Sequence, residues 1–307
     1  MKYKRILVIK HGSIGDFVMA LRAMQSIREH FPNSHLTLVT TNLINKLFSQ
    51  IPFFDQIIID ERKSFFDAFR FTNHLKEINI DLVIDLQNSK RTQFYHFITR
   101  IFHSKIIINS SRKFSQLRYA TPDHGTEHVI EGLNNQLKLL HIRPSLNSDI
   151  DWLRKKDFVN PINKKFVLLI PGTSKNGSKK QWPSESFAKL SKLINGLDLD
   201  VIISGTRNDS KIIEEIISQA PRVINLEQYS DFPNFINLCD NASIIISVDT
   251  GPAHIAAYSN TPLIWIVKKS SYSITNKPYS KNTYTIEAED MCSVTVEDIF
   301  KKILKLI

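Results

Sequence analysis

Three short stretches of this chain carry residue types and spacings that suit chemistry on a phosphorylated ligand. The first is Ser247-Val-Asp-Thr-Gly-Pro-Ala-His254. It follows Ala242-Ser-Ile-Ile-Ile246, a β-branched run that reads as a buried strand, and precedes Ile255–Ser259, which reads as the first turns of a helix. Thr250 is placed to cap that helix, Gly251 to permit an unusual backbone angle, and Pro252 to occupy the first helical position. A strand ending at a helix N-terminus leaves unpaired N–H groups with the positive end of the helix dipole behind them, which suits a phosphate. Asp249 is placed to cap, to bind ribose or to repel a misplaced phosphate. His254 reads as a packed residue or as one reaching a phosphate or sugar hydroxyl.

The second stretch is Pro171–Pro183, with Thr173, Ser174 and Ser178 supplying hydroxyls and Lys175, Lys179 and Lys180 supplying charge. A loop rich in glycine and lysine can wrap phosphates with backbone N–H groups. Its order does not satisfy the Gly-x-x-x-x-Gly-Lys-Ser/Thr pattern, and a flexible surface loop is the plainer alternative. Trp182-Pro183 reads as its anchor to the core. The third stretch is His11–Asp16, which has Gly12 and Gly15 but lacks the Gly-x-Gly-x-x-Gly fingerprint of a dinucleotide enzyme. Asp16 reads either as a helix cap or as a general base that takes a proton from a hydroxyl; spacing alone favours the cap.

The elements that must position these loops alternate strand and helix. Strands are expected over residues 5–10, 35–40, 56–60, 81–85 and 105–109, with helices between them, the first carrying Phe17, Ala20, Leu21, Met24, Ile27 and Phe31 on one face. A helix is expected over 64–78 and another over 127–140, while 110–126 reads as irregular. Residues 143–164 read as a linker. The pattern then restarts with strands at 166–170, 201–204, 222–226, 242–246 and 262–267 and an amphipathic helix at 294–307. The fold class is therefore α/β: two Rossmann-like α/β/α domains, 1–150 and 151–307, facing a central cleft, with a terminal helix able to pack back on the first.

Composition sets the outer bounds. The 307 residues are 42% hydrophobic and 23% charged, ordinary for a globular protein. Two cysteines without CxxC spacing, Cys239 and Cys292, read as isolated, buried thiols. No apolar run approaches the roughly 20 residues that span a bilayer, and the run Ile6–Ile9 is too short for a signal-peptide core, so a cytoplasmic location is expected. The net charge is +10, and the stretch from Leu86 to Pro122 contains no acidic residue while holding Lys90, Arg91, Arg100, Lys105, Arg112, Lys113 and Arg118. A solvated basic face and an anionic partner both fit it.

Ile14-Gly15-Asp16, Pro171-Gly172 with Lys180-Gln-Trp-Pro183 and Phe187-Ala188, and Ser247–His254 together resemble the heptosyltransferases of glycosyltransferase family nine, in order and spacing across nearly the whole chain. The resemblance implies a glycosyltransferase-B fold and inverting, metal-independent transfer of heptose from ADP-heptose to the inner core of lipopolysaccharide, with no cofactor. By motif position it implies Asp16 as general base and Lys180 as the cation on the departing diphosphate. It assigns Thr173, Asp209, Asp249, Thr250, Gly251 and His254 to the donor and Gly15, Arg91 and His128 to the acceptor. The implied partners are ADP-heptose and an anionic Kdo–lipid A type acceptor, met at the inner face of the cytoplasmic membrane through peripheral contact with its anionic surface. The chain departs from the family pattern at Lys268-Lys269-Ser270-Ser271, where a Gly-Pro-Thr-like turn is usual, and at Gly132, where an Arg is common.

Two other readings stand beside this one. A related transferase would use another nucleotide sugar. A basic nucleic-acid binder would use Tyr95, Phe97, Phe102 and Phe114 for stacking, although helix and strand cores are the better use of those rings and no nucleic acid is expected.

Overall fold

The computed structural model describes residues 3–61, 71, 75–122, 126–145, 150–173, 177–229 and 231–307. The chain divides into two compact units, Met1–Trp152 and Leu153–Ile307. Each unit is built on a six-stranded, fully parallel sheet.

In the first unit the strands are β1 (Arg5–Ile9), β2 (His35–Thr40), β3 (Gln56–Ile59), β4 (Leu82–Asp85), β5 (Ile107–Ser110) and β6 (Leu117–Arg118). Their spatial order is β3-β2-β1-β4-β5-β6. In the second unit β7 (Phe166–Ile170), β8 (Asp200–Ile203), β9 (Ile224–Asn225), β10 (Ile244–Val248), β11 (Leu263–Lys268) and β12 (Thr283–Ala288) lie in the order β12-β11-β10-β7-β8-β9. Numbered within its own unit each sheet reads 3-2-1-4-5-6, the order of dinucleotide-binding folds. Its direction of winding reverses between the first and fourth strands, and ligands of such sheets sit there, beyond the strands' carboxyl ends.

Central strands covered on both faces need apolar side chains in every position. Ile6–Ile9, Phe166–Ile170 and Ile244–Ile246 supply them and are almost wholly buried. Helices α1 (Ile14–His30) and α2 (Asn42–Phe48), and later α3 (Lys90–Phe102) and α4 (Val129–Lys138), accompany the first sheet. The expected helix at 64–78 falls largely outside the described residues, though 71 and 75–77 are helical. The second unit carries α5 (Ser184–Asn195), α6 (Ser210–Gln219), α7 (Phe232–Asn241), α8 (Gly251–Ala256), α9 (Ser271–Thr275) and α10 (Val296–Leu304).

Three sequence expectations change. The irregular segment after residue 110 contains the short edge strand β6, and β12 has no counterpart among the expected strands. Within the second unit, α10 buries Ile299 and Ile303 in the core beside Trp182 and Phe187. Cys239 is buried, but Cys292 is exposed on the short turn Met291–Ser293. Among the described residues no helix is long and apolar enough to cross a membrane.

Candidate active site

The loops leaving β7 and β10 emerge side by side, because those strands pair in register with Ser247 opposite Ile170. The loop after β7 is held from both ends. Gln181 donates through Nε2 to the Pro171 carbonyl (3.0 Å), and its Oε1 accepts the Thr173 hydroxyl (3.3 Å). Trp182 is wholly buried, packs edge-on against Phe187 at 4.8 Å and donates through Nε1 to the Val294 carbonyl (3.0 Å). Its role as anchor therefore extends to the segment before α10. Lys180, two residues earlier, is carried on this fixed point. Ser174 and Lys175 lie outside the described residues.

Lys180 crosses to the neighbouring loop. Its Nζ lies 2.6 Å from Asp249 Oδ2, and its ammonium stands 4.7 Å from the centroid of the Tyr272 ring. The Asp249 side chain is only 4% exposed and that of Lys180 is 42% exposed. A buried carboxylate thus fixes a cation whose other side still faces solvent, an arrangement that suits an anionic ligand.

Around this pair the structure refines several expectations. Thr250 occupies the N-cap position of α8, but its side chain makes no capping hydrogen bond, which leaves the hydroxyl to a ligand. Gly251 does not use the left-handed backbone region; among the described glycines Gly12 alone does, at φ +46°. Gly251 instead starts a helix of six residues in which His254 is buried. Asp209 reaches the same loop from the end of β8. Its Oδ2 accepts the Thr206 N–H (2.8 Å) and hydroxyl (2.9 Å), and a Cβ at Gly172 would collide with its carboxyl group. Glycine at 172 is therefore what lets this carboxylate close on the loop.

In the first unit the corresponding position lies between β1 and β4. His11 and Gly12 both donate backbone N–H groups to Gln87 Oε1 (3.0 and 2.8 Å), which ties the loop after β1 to the end of β4. Asp16 is the third residue of α1 and part of a capping box. Its Oδ2 accepts the Ser13 N–H (3.2 Å) and hydroxyl (3.0 Å), while Ser13 Oγ accepts the Asp16 N–H. The cap role is thus real, and the carboxylate stays partly exposed beside buried Gly15.

Behind Asp16 lies a set of charged groups to which motif spacing gives no clue. Lys10 is 5% exposed and donates through Nζ to the Leu86 carbonyl (3.2 Å). Burial lowers its pKa from the usual lysine range, and the neighbouring Asp16 and Asp85 carboxylates counter part of that effect. His11 Nε2 lies 3.0 Å from Asp60 Oδ2, a close contact without the direction of a hydrogen bond. Asp60 also accepts the Tyr95 hydroxyl (2.8 Å), which in turn accepts Arg91 Nε–H (2.6 Å). Burial and the Asp60 carboxylate both push the Tyr95 hydroxyl far above the usual tyrosine range, so it remains a donor. Arg91 is thereby connected through Tyr95 and Asp60 to the residue beside the glycine loop. His128 is differently employed: its Nδ1 accepts the Ile130 N–H (3.2 Å) and caps α4. At Gly132 a Cβ would lie 3.0 Å from Glu127 Oε2, so this position faces a carboxylate.

Asp85 ends β4 fully buried. Its Oδ1 accepts the Gln87 and Asn88 N–H groups (2.9 and 3.0 Å), and its Oδ2 stands 3.2 Å from His96 Nε2. Burial pushes its carboxyl upward, but His96, the Thr92 hydroxyl and the Asn88 N–H together hold it below the usual carboxylate range. A depressed carboxylate pKa contributes stability that is complete above the unfolded value, near 3.8, and is lost as pH falls through the lower folded value. Asp85→Asn is accordingly expected to cost more stability in urea unfolding at pH 7 than at pH 3. Parallel stability curves for the two proteins across that range would contradict the ionised assignment.

The motifs singled out by sequence therefore gather at two places. Lys180, Thr173, Asp209, Asp249, Thr250, Gly251 and His254 surround the switch point of the second sheet, and Gly15, Asp16 and Arg91 that of the first. Lys10, His11, Asp60, Asp85, Gln87, His96 and Tyr272 are additions from the structure. Asp60 and Asp85 have a legible signal, since each is an acidic residue closing an apolar strand-like run.

The model of glycosyltransferase family 9 (heptosyltransferase) matches residues 68–304. The lipopolysaccharide core heptosyltransferase OpsX of Haemophilus influenzae is 22% identical over 276 residues, covering 85% of this chain and 78% of its own. Lipooligosaccharide heptosyltransferase 2 of Campylobacter jejuni is 25% identical over 298 residues, covering 91% and 86%. Among solved structures, the E. coli heptosyltransferase WaaC with ADP superposes with a TM-score of 0.76 at 18% identity, covering 99% of this chain and all of its own. At that identity the superposition establishes the fold, of the glycosyltransferase-B type.

Proposed function

Since the chain belongs to glycosyltransferase family 9 and is a glycosyltransferase, we propose that it moves a heptose from ADP-heptose to the inner core, Kdo or heptose, of lipopolysaccharide by an inverting, metal-independent displacement. The observation that carries this reading is the Lys180–Asp249 pair at the switch point of the second sheet. The second unit is the donor unit. Lys180 takes the charge of the departing diphosphate, with the free Thr250 hydroxyl and His254 beside it. Asp249 orients Lys180 and the donor sugar. Asp209, held by Thr206 against Gly172, binds the ribose, and Thr173 lines the loop. Gly251 keeps the entrance to α8 free of a side chain.

The first unit holds the acceptor through Gly15, Arg91 and His128. Asp16 accepts the proton of the attacking hydroxyl as its oxygen bonds to the anomeric carbon. The bond from that carbon to the diphosphate breaks on the opposite face, ADP leaves and configuration inverts. Preorganised donors and a lysine at the leaving group supply electrostatic stabilisation that water cannot. We assign the acceptor to the anionic Kdo–lipid A class and the place of action to the cytoplasmic face of the inner membrane.

A second donor reading draws support from the wall beside this pair. Lys268 closes β11, exposed Lys269 pairs with Glu289 at 3.4 Å, and Ser270 caps α9, which carries Tyr272. This wall replaces the turn expected of the family, so another nucleotide sugar is the competing donor. A thermal-shift panel separates the two. ADP-heptose at about 100 times its dissociation constant should stabilise the protein by roughly 2.7 kcal/mol, which is a rise of about 5–11 °C in melting temperature for units of this size. A larger rise with a uridine or guanosine diphosphate sugar would replace the donor and leave the transferase class standing.

A further inference from the structure

We propose that the exposed face of α3, joined by Phe114, is a docking surface for an anionic lipid bilayer. Phe97 follows Lys90 by seven residues, and Arg100 and Ile101 follow Phe97 by three and four, spacings that place them on one side of α3. The opposite face, with Thr92, Tyr95, His96, Ile98 and Thr99, is buried. Phe97 is 40% exposed, Ile101 58%, Phe102 60% and Phe114 46%.

Phe114 reaches this face from the loop between β5 and β6 and places its ring 5.1 Å from that of Phe97. It does so at φ +69°, a left-handed conformation that bulky residues rarely adopt. The strained backbone therefore presents an aromatic side chain to solvent rather than to a core. Such strain persists where the surrounding structure enforces it, and it clusters at functional positions.

Charge names the occupant. The apolar residues sit in the stretch Leu86–Pro122, which has no acidic residue, and the same stretch carries exposed Lys90, Arg100, Lys105, Lys113 and Arg118. Exposed apolar side chains that share an acid-free segment with exposed lysines and arginines fit the boundary of a bilayer with anionic headgroups, where aromatic rings enter the acyl margin and cations meet phosphate. A second copy of the same surface would set these cations against one another. Stacking on single-stranded nucleic acid is poorly served, because Tyr95 is buried and bonded to Asp60 and the Phe97 and Phe114 rings pack on each other. The choice of a membrane over another anionic surface rests on the glycolipid acceptor proposed above.

The test is co-sedimentation of the full chain with vesicles of phosphatidylglycerol and phosphatidylcholine, beside vesicles of phosphatidylcholine alone. The intact protein should partition to the anionic vesicles, and less so as salt is raised. Phe97→Ser with Ile101→Ser, and separately Phe114→Asn, should reduce that partition by about tenfold or more with an unchanged melting temperature. Asparagine tolerates the left-handed backbone at 114, so the second variant tests the ring without disturbing the loop. Arg100→Glu with Lys113→Glu should remove the preference for anionic vesicles. Equal partition of intact and substituted proteins would overturn the proposal. So would substitutions that abolish self-association or oligonucleotide binding in a protein that ignores vesicles. Vesicle binding needs neither substrate, so failure of the acceptor assignment leaves this result readable, and failure to bind vesicles leaves transfer to a soluble acceptor readable.

Discussion

Asp16→Asn is expected to lower kcat by about 10²–10⁴-fold, the range typical of removing a general base, while leaving α1 intact. The separation is possible because the observed cap role and the proposed base role of Asp16 ask different things of its carboxylate. Its Oδ2 accepts both the N–H and the hydroxyl of Ser13, the reciprocal half of a capping box. An asparagine side-chain oxygen can accept the same bonds but cannot take a proton at neutral pH. Asp16→Ala removes the base together with the reciprocal half of the capping box, while Ser13 still caps α1, and should lose a further ~0.5–1.5 kcal/mol of stability. Both variants also take one carboxylate away from buried Lys10, which keeps Asp85 as its other acidic neighbour. Turnover and thermal unfolding measured on the pair decide the matter. An asparagine variant with more than a tenth of normal turnover would reduce Asp16 to a cap.

The second large effect is at Lys180. Lys180→Ala is expected to lower kcat by about 10²–10³-fold, the loss typical of removing one preorganised charge-stabilising group, and to weaken nucleoside diphosphate binding as well. The substitution also leaves Asp249, with only 4% of its side chain exposed, without its cation. Uncompensated buried charge is costly, but the half-exposed lysine is partly screened by solvent, so a stability loss of about 1–2 kcal/mol is expected. Asp249→Asn added to Lys180→Ala should recover most of the stability and none of the turnover. Recovery of both would mean that the lysine serves the fold and not the reaction. Tyr272, whose ring faces the ammonium, should give a smaller effect of the same sign when changed to alanine.

Much of the fold and of the site is legible in the amino-acid sequence alone. Runs such as Ile6–Ile9 and Phe166–Ile170 announce buried parallel strands because every position is apolar. The glycine-bearing stretches at their ends announce loops, and the three motifs fall where such strands stop. Partners separated along the chain are not legible. Nothing in spacing says that β1 pairs with β4, so the meeting of Lys10 with Asp85, and of His11 with Asp60, needs the strand order. Edge strands also escape a pattern reading. β12, Thr283-Tyr-Thr-Ile-Glu-Ala288, mixes polar and apolar residues because it is only partly buried, and β6 is two residues long. Local chemistry misleads at Thr250 and Gly251. Both types are common at helix starts, yet here the hydroxyl does not cap and the glycine keeps an ordinary backbone.

The proposed reaction forms one bond, from the anomeric carbon of a heptose to an acceptor hydroxyl. Incubation of the protein with ADP-heptose and Kdo–lipid A, without added divalent metal, should give a product heavier by one heptose with release of one ADP for each heptose transferred. The new linkage should be of configuration opposite to that of the donor. Transfer from another nucleotide sugar with no heptosylated product, or a heptosylated product that keeps the donor's configuration, would contradict it.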